Sequence, residues 1–373
     1  MKILQLGKFY PIRGGVEKVM YDIMSGLSGR GVCCDMLCAS LDKQSSGEIR
    51  INEHSRLFCM PSIIKLAATM ISPAMVFKLR CIQKDYDIVH IHHPDPMACM
   101  SLYFSGYKGK VVLHWHSDIL KQKTLLKLYA PFQRWLIRRA DVIVGTTPVY
   151  VEQSPFLDSV QAKVTSIPIG IVPLRYHGPE IIRLREQYAG KKIVFSLGRL
   201  VEYKGFSYLI EAASILDDSH VFLIGGTGPL QDSLQQQIND SGLSGRVMLL
   251  GHVRDEDLPA YFWACDLFVL SSIQKTEAFA IVQIEAMSCG RPVIATSIKE
   301  SGVSWVNADG ISGLNVPPMD SQSLAAGIEK ILSDPDLYSL LGKGAMERYQ
   351  SMFTRKQMTD KCLSVYESIV REK

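Results

Sequence analysis

The stretch "KIVFSLGRLVEYKG", residues 192–205, decides the fold. Its first half, Lys192–Leu197, is an apolar run suited to a strand covered on both faces, and its second half is a turn region carrying Arg199 and Lys204. The same pattern recurs outward in both directions. Before it stand "KILQL" (2–6), "CCDMLCA" (33–39), "DIVHIH" (87–92), "KVVLHWH" (110–116), "DVIVGTT" (141–147) and "VTSIPIG" (164–170); after it stand "HVFLIGG" (220–226), "RVMLLGHV" (246–253), "LFVLSS" (267–272) and "PVIATSI" (292–298). Helical patterns separate these runs, so the expected class is α/β, with parallel sheets in doubly wound layers. The first helix is well marked: after Gly14 and Gly15, the residues Val16, Val19, Met20, Ile23, Met24 and Leu27 follow helical spacing, and Gly31 lies just past the end.

The runs form two sets, separated by "PIGIVPLRYHGPE" (168–180), which is rich in Pro and Gly and lacks a strong period. A domain boundary is expected near Ile171, giving domains 1–170 and 171–354, with a C-terminal helix from about residue 355 to 373 packing back on the first. Two similar doubly wound, Rossmann-like domains facing each other would make a cleft. In open parallel sheets ligands sit beyond the carboxyl ends of the strands, so residues just after strands are the ones to weigh.

The 373 residues are 47% hydrophobic, enough for a sizeable core and against a disordered or fibrous chain. The opening "MKILQLG" passes straight from a strand-like run into "GKFYPIRGG" with no cleavage region, so no secretory signal is expected. "SIIKLAATMISPAMVF" (62–77) carries Lys65 and Pro73 and is too short to span a bilayer. Nine scattered cysteines without a C-x-x-C pair fit reduced thiols in a cytoplasm. The net charge of +4 is divided unevenly. Residues 1–170 hold 21 Lys+Arg against 13 Asp+Glu, and residues 171–373 hold 20 against 24, so the front is +8 and the back −4. That asymmetry suits a front half meeting an anionic partner or surface, the alternative being ordinary scatter.

Four elements carry chemistry. In "TEAFAIVQIEAMSCGRPV" (276–293), the spacing predicts a buried helix ended by Gly290, with Glu277 at or just before its N-terminus and Glu285 two turns inside. Eight residues of helix turn through about 800° and rise about 12 Å, so the two glutamates have separate tasks. The first amides, near Phe279 to Val282, would form an anion seat; alternatively Glu277 is only a cap and Glu285 only a partner for a buried Arg. Arg199 and Lys204, just past a strand end, could pin a diphosphate. "LIGGTGPL" (223–230) is a glycine-rich turn through which Gly226 and Gly228 could bring amides to phosphate. Its G-x-x-G spacing falls short of a dinucleotide fingerprint, so a nicotinamide cofactor is poorly supported. In "GKFYPIRGGVEK" (7–18), Gly14 and Gly15 open the first helix and offer further amides.

In this order the four elements resemble a retaining glycosyltransferase of the GT-B fold, family 4, over nearly the whole chain. The resemblance rests on the E-x7-E pattern at Glu277 and Glu285, "GRLVEYKG" at Arg199 and Lys204, and "GGVE" at Gly14 to Glu17. It implies that Glu277 holds hydroxyls of a donor sugar and Glu285 the nucleotide ribose. Arg199 and Lys204 would neutralise the departing diphosphate, helped by backbone near Gly14, Gly15 and Phe279, Ala280 and Ile281. The first domain would bind the acceptor and the second the nucleotide-sugar. The family usually has Gly where this chain has Ala280, which puts the local backbone contact in question. His116, in "HWHSD", matches the family's histidine beside the reacting sugar carbon, while Asp118 and Asp95 are candidates to face the acceptor.

His90, His92 and His93 end one strand and His114 and His116 the next. No acidic or Cys ligand joins them with zinc spacing, so packed imidazoles are the expected state of His90 and His114. Asp85 and Asp87, like Asp334 and Asp336, spell the metal signature of a different glycosyltransferase fold, but neither pair is placed to hold a nucleotide. No metal and no cofactor is expected, the nucleotide-sugar being a substrate. Residues 121–139, "KQKTLLKLYAPFQRWLIRR", carry six cations and no acid among apolar and aromatic residues. Such a segment suits an anionic membrane surface, the alternative being an amphipathic helix packed on its sheet; no nucleic-acid motif accompanies it. The expected protein is a cytoplasmic enzyme, peripheral at the inner face of the membrane, that moves a hexose to a lipid-linked or glycan acceptor of bacterial surface polysaccharide. GDP-mannose is the first donor, with a UDP-hexose or UDP-N-acetylhexosamine open. A nucleotide-sugar epimerase or hydrolase of the same fold, and a non-catalytic binding subunit, are the other classes.

Overall fold

A computed structural model of the chain describes every residue except 13, 42–44, 67–68, 120–122, 177 and 372–373, together with the side chains of 123–126. It divides into two compact units: Met1–Gly170 with Arg355–Lys373, and Ile171–Thr354.

The first unit is built on an eight-stranded sheet. Its strands are β1 (Lys2–Tyr10), β2 (Cys33–Ser40), β3 (Gly47–Asn52), β4 (Ser55–Met60), β7 (Ile88–His93), β8 (Lys110–Trp115), β9 (Val142–Gly145) and β10 (Val164–Ser166), with a separate hairpin of β5 (Ile64–Leu66) and β6 (Thr69–Ile71). The sheet runs β10-β9-β8-β7-β1-β2-β4-β3, parallel throughout except for β3 against β4. Chain order reverses between β1 and β7, which makes their carboxyl ends the switch point. The first helix, Gly15–Ser28, buries Val19, Met20, Ile23, Met24 and Leu27 completely. At about 1.5–3 kcal/mol for each large apolar side chain, this stripe holds the helix on its sheet. The C-terminal helix Arg355–Arg371 packs beside it, burying Met358, Cys362, Tyr366 and Ile369.

Strands β3 to β6, and β16 (Gly313–Val316) of the second unit, were not expected from the sequence. The edge strand "GEIRIN" shows the alternation of a half-exposed strand, Ile49 and Ile51 between Glu48, Arg50 and Asn52, rather than the continuous apolar run of its parallel neighbours. The stretch 62–77 holds the β5–β6 hairpin and the start of the helix Pro73–Ile82. Among the described residues no helix is long and apolar enough to cross a membrane.

The second unit has six parallel strands: β11 (Lys192–Leu197), β12 (His220–Gly225), β13 (Val247–Gly251), β14 (Leu267–Leu270), β15 (Val293–Thr296) and β16 (Gly313–Val316), ordered β13-β12-β11-β14-β15-β16. Its switch point lies between β11 and β14. The helices Phe206–Ile215, Gln231–Asp240 and Ser321–Ser333 cover one face through Leu209, Ile210, Leu234, Ile238, Leu324 and Ile328. "KIVFSL" thus pairs on both sides and brings the loop holding Arg199 and Lys204 to the switch.

Candidate active site

At the second unit's switch point, the loops after β11 and β14 interlock. Lys204 ends a short 3-10 turn, and its Nζ lies 2.5 Å from the Glu277 carboxylate, both side chains being nearly buried. Ser272 donates to the same Glu277 oxygen at 3.0 Å. Burial pulls the Lys204 ammonium toward a lower pKa, but the adjacent Glu277 carboxylate and Tyr203 together outweigh it and hold the pKa above the ordinary lysine value. Gly205, at φ +64°, lets the two loops touch: a Cβ there would stand 2.2 Å from the Ser271 carbonyl oxygen. Across this junction Ser271 Oγ donates to the Lys204 carbonyl, and the Ile273 amide to the Tyr203 carbonyl. Arg199 stays exposed. A locked cation–carboxylate pair beside a free guanidinium is what a strand-end site needs to meet a ligand bearing both phosphate and hydroxyls.

The helix that follows differs from the expectation. It spans Ile281–Ser288, so Glu277 lies in the loop four residues before it and Glu285 stands one turn inside, not two. The cause is Ala280, the N-cap, whose left-handed backbone (φ +60°, ψ +83°) interrupts the helical run. A residue with a Cβ is strained in this conformation, and glycine is the residue that tolerates it. The amides of Ile281 and Val282 fall in the unsatisfied first turn, while Phe279 packs edge-on against Phe353.

The glycine-rich turn also has another task. The Gly226 amide donates to the Gly251 carbonyl at 2.7 Å and is not available to phosphate. Gly226 and Gly228 instead allow the Gly198–Leu200 loop to lie directly on the turn: a Cβ on either would meet the Gly198 or Leu200 carbonyl oxygen at 1.9 or 2.3 Å. Their absent side chains position Arg199. Gly14 caps the first helix of the other unit and Gly15 begins it, both exposed. The Glu17 carboxylate folds back to accept from the Gly14 amide and its own, so that end already faces an anion.

In the first unit, the carboxyl halves of β7 and β8 carry a buried stack of imidazoles. His90, His92, His114 and His116 lie on one face, with ring centroids 4.1–5.2 Å apart in successive contacts. His93, on the other face, stacks on Trp115 at 3.9 Å. His92 Nε2 is 2.7 Å from Gln5 Oε1 and its Nδ1 is 2.8 Å from His116 Nε2, while His90 Nδ1 is 2.5 Å from the Tyr366 hydroxyl. Burial drives the pKa of all five down, to about 3 for His93 and His114, so the rings are neutral. Ligand atoms of His90, His92 and His114 lie within 4.8 Å of one another. Both nitrogens of His92 are already engaged, and stacked rings aim their lone pairs in parallel rather than at one point.

The two acidic acceptor candidates are structural here. Asp95 is a helix cap: it accepts from the Met97 and Ala98 amides at 3.0 and 3.2 Å and also from the Lys8 amide. Asp118 braces the turn after β8, accepting from Trp115 Nε1 at 2.9 Å and Ser154 Oγ at 2.7 Å. Asp334 likewise caps the helix Pro335–Met352, and Asp87 accepts from the Lys2 amide.

Residues 13–173 match the family described as Glycosyltransferase Family 4, and residues 179–348 the one described as Glycosyl transferases group 1. Over 377 residues, covering all of both chains, the sequence is 31% identical to O-antigen chain mannosyltransferase C of Escherichia coli. The chain belongs to the family-4 glycosyltransferases. It is also 29% identical to the D-rhamnosyltransferase WbpZ of Pseudomonas aeruginosa, over 95% of this chain and 92% of that one. Among solved structures, sucrose-phosphate synthase from Thermosynechococcus elongatus superposes with a TM-score of 0.80 at 22% identity, covering both chains fully. Anabaena HepE in complex with UDP gives 0.78 at 22% identity, over 99% of this chain and 100% of that one. These likenesses show the GT-B fold, two Rossmann-like α/β domains.

Within this glycosyltransferase, sequence reasoning passed over Ser272, Gln5 and Tyr366 and gave His92 no role of its own. Ser272 was the easiest to find, since it ends the run "LFVLSS" at the switch point. Gln5 is the only polar residue inside "KILQL" after its first position, and a buried amide in a strand requires partners. Tyr366 offers no such signal, because its pairing with Gln5 spans 361 residues of sequence.

Proposed function

We propose that this glycosyltransferase moves a hexose, with mannose from GDP-mannose as the donor, to a lipid-linked or glycan acceptor in bacterial O-antigen or capsule assembly, with retention at the anomeric carbon. The observation that carries the reading is the buried Lys204–Glu277 pair at the β11/β14 switch beside exposed Arg199. In the reaction the bond from the anomeric carbon to the phosphate oxygen breaks, the acceptor oxygen bonds to that carbon on the same face, and its proton passes to the departing phosphate oxygen. Lys204 and Arg199 offset the charge growing on the diphosphate, assisted by backbone amides from the loop at Phe279 to the helix start at Ile281. Glu277 accepts from sugar hydroxyls, and Glu285 from the ribose. The names of two relatives that match over nearly the whole chain, a mannosyl- and a D-rhamnosyltransferase, support a donor sugar of this type.

The test is a thermal-shift panel of GDP-mannose, UDP-glucose, UDP-N-acetylglucosamine and dTDP-rhamnose. A ligand at a hundred times its Kd adds about 2.7 kcal/mol of stability, and GDP-mannose is expected to give the largest rise. A larger rise with a UDP-sugar overturns the donor, and no rise with any overturns the nucleotide-sugar reading.

The acceptor side is read from the helix Lys123–Arg139. Tyr129, Leu136 and Ile137 pack inward, while Leu128 is 74% exposed and shares a stripe with Phe132 and Trp135, flanked by exposed Lys127, Arg134 and Arg138. Tyr103 and Phe104 extend the aromatic patch. The start of the basic segment, residues 121–122, lies outside the described residues. This surface suits the anionic inner face of a membrane, at the cytoplasmic side where a lipid-linked acceptor is met. Co-sedimentation with phosphatidylglycerol vesicles should be lost in Leu128→Glu and weakened by salt; equal binding to neutral vesicles would reject the electrostatic part.

A further inference from the structure

The buried network in the first unit can be resolved proton by proton. Gln5, on β1, turns its amide nitrogen to the Tyr366 hydroxyl at 3.2 Å and to Cys34 Sγ at 3.7 Å, so its carbonyl oxygen faces His92 Nε2 at 2.7 Å. A carbonyl oxygen only accepts, hence His92 carries its proton on Nε2. A neutral imidazole has one proton, which leaves His92 Nδ1 as an acceptor. The atom 2.8 Å from it, His116 Nε2, must therefore donate. His116 then holds its proton on Nε2 and a lone pair on Nδ1. Tyr366, which accepts from Gln5, spends its own proton on His90 Nδ1 at 2.5 Å.

We propose that Gln5 and His92 are positioning residues that select the tautomer of His116, and that the C-terminal helix takes part by supplying the Tyr366 hydroxyl that orients Gln5. The consequence is directional. The inner edge of His116 is fixed as a donor to the protein, and its Nδ1 is left with a lone pair, the form that can accept from a substrate hydroxyl, whereas both nitrogens of His114 are buried without a partner. The register makes the arrangement compact: Gln5 pairs with His90 across β1 and β7, and His92 with His114 across β7 and β8, so the four groups share one face of adjacent strands. Their burial keeps a second proton off both rings, as the chain of single donors requires. A mispointed Gln5 would reverse every bond in the series and present an N–H, not a lone pair, at the outer edge of His116. The orienting group comes from residue 366, so truncating the C-terminal helix would disturb a site built near the start of the chain.

This inference rests on the reading of His116 as a group that faces the sugar, and the test separates the two. Protein labelled with 15N-histidine is examined by long-range proton–nitrogen correlation, which distinguishes the two neutral tautomers of each ring. Wild type should show His116 as the Nε2–H form. In Gln5→Met, which keeps the volume and removes the acceptor, His116 should become a mixture of tautomers, and turnover of the donor that most stabilises the wild type should fall about 10-fold with KM changed less than twofold. Tyr366→Phe should move both readouts in the same direction by a smaller amount, and serves if Gln5→Met does not fold. An unchanged Nε2–H form in either folded variant, or a mixture with unchanged turnover, overturns the relay. His116→Ala with normal turnover instead defeats the role given to His116, whatever the tautomer.

Discussion

The carboxyl ends of the two sheets solve one problem in opposite ways. At the β11/β14 switch the buried polar groups are charged and paired, Lys204 against Glu277. At the β1/β7 switch they are neutral and chained, Gln5 to His92 to His116. A buried ion pair is a costly device unless a charged ligand uses it, whereas neutral imidazoles cost little and can only exchange hydrogen bonds. Under the proposed function, the contrast suits a charged ligand at the second unit's switch and a neutral hydrogen-bonding edge at the first. The largest expected effect follows from breaking the pair: Lys204→Ala or Glu277→Ala should lower turnover on the order of 100-fold or more. Each should also destabilise the protein, by about 3 kcal/mol, because the remaining charge is left buried. Lys204→Met with Glu277→Gln should recover much of that stability but none of the activity. Kinetics and urea unfolding on the three proteins check this, and near-normal turnover in the single variants would end the assignment.

Acid should separate the units next. A histidine whose folded pKa lies below its ordinary value of 6.5 contributes stability that is present above 6.5 and is lost as pH falls, since the unfolded chain takes up the proton first. His93 and His114, held near 3, together give up at most about 2.7 kcal/mol per pH unit below 6.5, and His90, His92 and His116 act in the same direction. Glu17, Asp22 and Asp95 oppose this at lower pH, because burial raises their folded pKa values. Hydrogen exchange at pH 7.5 and 5.5 should show strands β1, β7 and β8 losing protection while β11 and β14 keep theirs. The reverse order, or no change, would mean that the imidazoles are not held neutral.

The difference between the units also governs what could be read in the sequence. The inner strands of both sheets were legible because they are apolar on both faces, and "KIVFSL" announces a central strand without reference to any partner. The Lys204 and Glu277 elements were legible as strand-end loops, although the pairing itself joins positions 73 residues apart (277 − 204) and follows only from the strand order. The histidine chain was not, because alternation shows that His114 and His116 share a face but not that Gln5 and Tyr366 reach the same place. The Gly226 amide was misread for a related reason. A glycine pattern reports that something approaches the backbone, and only the fold shows that the approaching group is the Gly198–Leu200 loop rather than a phosphate.

That correction can be tested on the second unit alone. Gly226 has φ +128°, and a methyl group there would collide with the Gly198 carbonyl oxygen, so Gly226→Ala should cost about 2–3 kcal/mol and displace Arg199. The expected signature is reduced stability in urea together with a higher KM for the nucleotide-sugar. Loss of nucleotide affinity with unchanged stability would instead restore the direct phosphate role.

The smallest effect has the opposite sign. Ala280 sits at φ +60° at the start of the helix Ile281–Ser288, where its Cβ crowds the following carbonyl. Ala280→Gly removes that crowding and at the same time gives the unfolded chain more freedom, which works against the folded state by about 0.4–1 kcal/mol. Strain of about 1–2 kcal/mol in the left-handed region exceeds that loss, so the substitution should stabilise the second unit by about 0.5–1 kcal/mol. Urea midpoints at constant m-value measure it. A destabilised Ala280→Gly protein would show that this backbone is relaxed, and the break in the helix between Glu277 and Glu285 would then need a cause other than the residue at its N-cap.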